Sequence, residues 1–182
     1  MNPRLKADFD KLETSRKKIF DTIKNYSDEK LNQKPSPEAW SVTQVLQHLI
    51  TSEEASLRYL QKKTLDTSRS AKAGMKGGVK LFLTKLTFSI PIKFNSPETM
   101  IPAETFVPFK ELEIKWEKLR TDTWQLLSKL NDEELEKELW KHPLLGKMNI
   151  YQMLDFFDFH FERHRGQVER TIERVITTAN FL

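Results

Sequence analysis

Four separate stretches of this chain set apolar residues at three- and four-residue steps, and a chain patterned that way buries its side chains as amphipathic helices. The first stretch, Leu5, Phe9, Leu12, Ile19, Phe20 and Ile23, predicts a helix over 5–26. The second, Val42, Val45, Leu46, Leu49, Ser56 and Leu60, predicts one ending near 62. Ser41 opens it with a hydroxyl that can cap the N3 amide, and Gln44 can reach back, a capping box. Leu112, Trp116, Leu119, Thr123, Leu126 and Leu130 mark the third, followed by a short acidic turn of helix at 132–138. The fourth begins at Asn149, with Gln152 at N3, and carries Ile150, Met153, Leu154, Phe157, Phe161, Val168, Ile172 and Val175. Only 5 of the 182 residues are Gly, and strand-like alternation is absent. The expectation is an all-α four-helix bundle.

The connections refine this picture. Pro35 and Pro37 break the pattern between the first two helices. The stretch 64–107 reads as a long crossover, with a helix at 72–88 and then Pro91, Pro97, Pro102 and Pro108 preventing regular structure. A long crossover lets the second and third helices run in the same direction, since short loops are what make successive helices antiparallel. WKHPLLGKM, before the fourth helix, reads as a loop. With no internal repeat and apolar residues along its whole length, 1–182 reads as a single domain.

Several function classes drop out. With no Cys, neither a disulfide framework, a thiolate zinc cluster nor a thiol nucleophile can be built from this chain. The opening MNPRLKADFDKL has no apolar h-region, and no run reaches the roughly 18 residues of a membrane span, so a soluble, cytoplasmic protein is expected. The formal charge is +4, but 62–93 carries eight basic residues against one acid, Asp66, while the rest of the chain is slightly acidic. A basic crossover could meet nucleic acid or another anionic partner. No helix-turn-helix or stacking-aromatic motif supports nucleic acid, and Lys-rich helices are commonly solvated faces.

The segment FHFERHRGQ carries His160 and His164. At about 100° per residue both fall in the apolar stripe of the fourth helix, with Gln167 at its edge. His48, on the second helix, lies at the margin of that helix's apolar face. Two readings remain open here. Buried histidines can be ordinary core residues whose nitrogens are paired with neighbours. Histidines at i and i+4, however, place two nitrogens on one side of a helix, the spacing of helical zinc sites, and His48 is the other imidazole available near a bundle core.

LNQKPSPEAWSVTQVLQHLITSEE and HPLLGKMNIYQMLDFFDFHFERHRGQ together resemble the two signature regions of the DinB-like superfamily, which includes YfiT-type metal-dependent hydrolases. The first has Trp40-Ser41 ahead of His48-Leu49; the second has His160, three residues, His164, then Arg165-Gly166-Gln167. The resemblance implies a DinB-like four-helix bundle with a long crossover after the second helix. It also implies a zinc- or nickel-type divalent ion held by His48, His160 and His164. Relatives include transferases and isomerases that use low-molecular-weight thiols such as bacillithiol or mycothiol, which points to a thiol S-transferase or a hydrolase acting on a small-molecule substrate. YfiT-like relatives often have a further His where this chain has Glu53, and 64–94 matches no signature.

Glu53 falls near the middle of the second helix's apolar face, where an unpaired carboxylate is costly. It is a candidate general base or orienter of a ligand His, or the partner of a basic side chain across the bundle. Gln167 is a candidate hydrogen-bond partner for a water or a ligand imidazole. His142 is assigned no ligand role, and Trp40, Trp116, Trp124 and Trp140 read as core anchors. Arg163 and Arg165 flank the ligands, and Arg165 could reach an anionic substrate. The alternative function is a non-catalytic binding module that keeps a structural metal or a His cluster and uses its basic crossover to bind a partner. Exposed helix faces leave a homodimer open.

Overall fold

The computed structural model describes residues 2–67, 70–72, 102–143 and 145–179. Its elements, in chain order, are α1 (Pro3–Ile23), α2 (Asp28–Asn32), α3 (Val42–Lys63), α4 (Phe109–Leu127), α5 (Asp132–Leu135), β1 (Trp140–His142), β2 (Gly146–Met148) and α6 (Ile150–Ala179). The four long helices are those the apolar periodicity predicts. The helix expected at 72–88 falls almost wholly outside the described residues.

Caps define the starts of the helices. Asn2 caps α1 through Leu5 N, and Ser41 with Gln44 forms the expected capping box on α3. Asn149 Oδ1 accepts from Gln152 N at 2.9 Å while Gln152 Oε1 accepts from Asn149 N at 3.1 Å, so α6 also begins with a reciprocal cap. Each cap satisfies amides that would otherwise be left without a partner at the helix end.

Side-chain pairs give the helix directions. Along α1 and α4, Phe20 meets Phe109 and Trp116, while Phe9 meets Trp124, so the two run antiparallel. Between α1 and α6, Arg4 lies over the Tyr151 ring, and further along both helices Ser15 donates to Asp158. Those two are parallel. His48 meets His160 and His164, whereas Leu57 and Leu60, further down α3, line a small cavity with Met153, Leu154 and Phe157, so α3 and α6 are antiparallel. Glu53 meets Trp116, and Leu60 shares the cavity with Thr123, which makes α3 and α4 parallel. The parallel pair is what a long connection between them permits.

Two local features differ from the sequence expectation. α2 interrupts the Pro-containing connection, capped by Ser27 and burying Leu31. WKHPLLGKM is a β-hairpin, pairing Trp140 with Met148 and His142 with Gly146, and Gly146 adopts φ +82°. Three-residue strands are too short to show a period in sequence. The hairpin is held by the burial of Trp140 and Met148 and by Trp140 Nε1 donating to Ser56 Oγ at 3.0 Å.

Asn149→Ala removes the cap of the helix that carries two of the candidate ligands. It is expected to lower the unfolding free energy by about 1 kcal/mol, measured by urea denaturation. An unchanged midpoint and slope would show that the cap contributes nothing.

Candidate metal centre

The capping box at Ser41 sets the phase of α3 so that His48 sits two turns in and is buried beside Trp40, ring centroids 5.2 Å apart. On α6, His160 and His164 stand one turn apart on the face turned toward α3. Their Nε2 atoms are 3.1 Å from each other. One ring nitrogen from each of His48, His160 and His164 falls within 4.8 Å of the others. The sequence places these three residues near a common core; the fold brings them to one point.

Burial governs their protonation. Desolvation, then the neighbouring His48, holds the His164 imidazole down at about 3, with the hydrogen bond to Gln167 acting the other way. His160 is pushed well below its ordinary value by burial first, then by His164 and His48. Around neutral pH both rings are therefore neutral, the form that binds metals.

The tautomers follow from the partners. His164 Nδ1 lies 2.8 Å from Gln167 Oε1, an acceptor, so the proton sits on Nδ1 and the lone pair of Nε2 points toward His160. His160 Nδ1 is buried with no hydrogen-bond partner among the described residues. The core-histidine reading requires each buried nitrogen to be paired, and this one is not. The donor set instead fits a divalent ion. Two imidazole nitrogens bound at 2.0–2.1 Å in tetrahedral geometry lie about 3.3 Å apart, close to the observed pair, and a set of three nitrogens leaves open positions.

Aromatic rings wall this site. Phe156, one turn before His160, stacks on its ring at 5.5 Å and 17°. His142 packs on the other side of this wall, 4.6 Å from the Phe156 ring, and its Nδ1 accepts from Leu145 N at 3.2 Å. Burial brings His142 down to about 4, and it is not one of the converging nitrogens. Sequence reasoning missed Phe156, though its i−4 spacing from His160 could have flagged it.

The other site candidates separate. Gln167 reaches the His164 ring, as described above. Glu53 is five residues beyond His48, about 140° round α3 and about 7.5 Å along it, and its carboxylate is engaged elsewhere. Trp116 Nε1 donates to Glu53 Oε1 at 2.6 Å, and Arg120 Nη2 donates to the same oxygen at 3.1 Å. Arg120 Nε lies 2.7 Å from Oε2. Desolvation raises the Glu53 pKa, while Arg120 and Trp116 pull it back. Arg120 also pairs with Glu13 at 3.1 Å, and Glu13 accepts from Arg16 at 2.7 Å, so the charges form a buried relay across α3, α4 and α1. Arg165, weighed above as an anion contact, is held by Glu162 and Glu169.

The DinB superfamily model matches residues 11–168 of this chain. A Bacillus subtilis protein, YuaE, is 27% identical over 161 residues, covering 88% of this chain and 94% of its own length. YfiT from Bacillus subtilis, described as a probable metal-dependent hydrolase with an unusual four-helix bundle topology, superposes with a TM-score of 0.60 at 16% identity, covering 96% of this chain and 89% of its own. A conserved protein from Enterococcus faecalis superposes with a TM-score of 0.57 at 16% identity, covering 97% and 99%. No helix among the described residues is long and apolar enough to cross a membrane.

Two outcomes follow. In the unfolded chain the imidazoles of His160 and His164 titrate near 6.5, and in the fold they titrate lower, so between these values the unfolded state binds more protons and stability rises with pH. Chelator-treated protein is therefore expected to keep its full imidazole contribution above about pH 7 and to lose it as pH falls toward 3. The guanidinium midpoint followed against pH checks this, and His164→Gln should make the fall shallower. Separately, Arg120→Met leaves the Glu53 carboxylate buried without its cation and should cost about 3–5 kcal/mol. Adding Glu53→Leu to that variant should recover part of the loss in chemical denaturation.

Proposed function

The chain belongs to the DinB superfamily, and from that premise we propose that it is a metal-dependent enzyme using a three-His divalent site to activate a thiol cosubstrate or water, a thiol S-transferase or a hydrolase. The observation that carries this reading is the convergence of His48, His160 and His164 on one point with His160 and His164 held neutral. The description of YfiT as a probable metal-dependent hydrolase supports it. Zinc or nickel fits an all-imidazole set. A bound ion with open positions supplies Lewis acidity, which makes hydroxide or thiolate available near neutral pH.

The chain's own residues then have distinct tasks. His48, His160 and His164 present lone pairs. Gln167 Oε1 accepts a hydrogen bond from His164 Nδ1–H and so keeps the opposite nitrogen turned inward. Phe156 and Trp40 shield two of the rings from water on their flanks. Glu53 acts at a distance: bound to Trp116 and Arg120, it fixes the height of α3 against α4, and with it the position of His48.

Elemental analysis of purified protein tests the metal. About one divalent ion per chain is expected, lost on chelation and in His160→Ala, and Gln167→Ala should weaken metal affinity by about 10–100-fold. Full metal content in His160→Ala would sink the ligand assignment. Turnover is tested with a panel of electrophiles, each offered with a low-molecular-weight thiol, and a panel of esters. Metal-replete protein inactive on every member would favour a binding module over an enzyme.

A further inference from the structure

The hairpin of β1 and β2 has no part in the function derived so far, yet it touches both helices that carry the imidazoles. On one side Trp140 Nε1 donates to Ser56 Oγ at 3.0 Å, and Ser56 lies on α3 about two turns beyond His48. On the other side its rings meet α6. Trp140 packs on Phe156 and Phe157 with centroids 5.5 and 5.7 Å away, and His142 packs on Phe156 at 4.6 Å. Phe156 in turn stacks on His160 at 5.5 Å and 17°. A continuous series of contacts therefore runs from α3, through the hairpin, to a candidate ligand on α6.

The nitrogens of the two α6 imidazoles show what that series is for. A metal-binding imidazole is ordinarily oriented by a hydrogen bond on its other nitrogen, and His164 has one, from Nδ1 to Gln167 Oε1 at 2.8 Å. His160 Nδ1 is buried with no hydrogen-bond partner among the described residues, so no polar contact at that atom fixes the ring plane. The near-parallel ring beside it is left to do so. Phe156 can serve only if it is itself held, because two side chains one turn apart on a helix can change their torsions together and stay in contact. The hairpin supplies the restraint. Trp140, His142 and Phe157 pack round Phe156 at tilted or edge-on angles, and Phe156 is buried. At interior packing density an aromatic ring so enclosed has one placement.

We propose that the hairpin is a positioning element of the candidate metal centre, with Phe156 as its contact: by stacking it sets the ring plane of His160, as Gln167 sets that of His164 by a hydrogen bond. Because Trp140 is also tied to α3, the same element couples the setting of His160 to the helix that carries His48. This rests on the metal reading for its catalytic meaning.

The test follows cobalt(II) binding to chelator-treated, full-length protein by visible absorption, and the His160 ring of the metal-free protein by NMR. Phe156→Leu should weaken cobalt binding by about tenfold, the lower end of the loss on removing a group that orients a ligand, and should change the absorption envelope. Phe156→Tyr, which keeps the ring, should restore most of both. Ser56→Ala releases the hairpin from α3 without removing any ring of the stack, and should weaken cobalt binding by about threefold, the scale of one neutral hydrogen bond. In the metal-free protein Ser56→Ala should also shift or double the His160 ring signals. Asn2→Ala controls for stability alone: it uncaps α1, and should lower the melting temperature while changing cobalt affinity by less than about twofold. Circular dichroism establishes that each variant is folded. Wild-type cobalt affinity and spectrum in Phe156→Leu, an equal loss of affinity in Asn2→Ala, or His160 ring signals unmoved by Ser56→Ala overturns the proposal. Wild-type protein that takes up no cobalt sinks the metal reading alone, since the NMR measurement on metal-free protein then decides whether the hairpin sets the His160 ring.

Discussion

Burying Arg120 between Glu53 and Glu13 leaves three helices little freedom to slide. A shift that parts Arg120 from Glu53 leaves that carboxylate buried without its cation, and one that parts it from Glu13 breaks the tie to α1, so the axial positions of α3, α4 and α1 are coupled. Arg16 extends the tie along α1 to Glu13 and across to Glu117. Ser15 and Lys11 then link α1 to Asp158 on α6, two residues before His160. Apolar packing alone tolerates repacking among similar shapes. The polar relay supplies the register that lets an imidazole on α3 meet two on α6.

That register matters because the candidate centre pairs His48 with two imidazoles that burial keeps neutral, groups that do not draw one another together. Without an ion, three buried imidazoles gain nothing electrostatically from meeting, and His160 keeps a buried nitrogen unsatisfied among the described residues. The helices must hold them in place. Gln167 and Phe156, both within one turn of a candidate ligand on α6, fix ring orientation locally, while the relay fixes the distance between helices. Orientation and distance thus come from different parts of the sequence.

This division explains what was legible beforehand. The four long helices, the two capping boxes at Ser41 and Asn149 and the inward-facing histidines follow from residues close in sequence, where period and cap chemistry act. The parallel course of α3 and α4 was legible from connection length. The partners of Glu53 were not, because Trp116 and Arg120 lie more than sixty residues away and nothing in a helix wheel says which neighbour it faces. The hairpin of Trp140–His142 with Gly146–Met148 was missed because tertiary burial of Trp140 and Met148, and not strand propensity, holds it.

The three imidazoles come from positions 48, 160 and 164, so most of the chain must be synthesised before they can assemble. While the ribosome is still making α4, a nascent chain holds one of these histidines and no partner for it. The proposed centre can therefore be completed only at the last stage of biogenesis, after the final helix has emerged and docked. A product truncated before α6 would hold one of the three imidazoles alone, so their convergence marks a polypeptide that has reached its native topology.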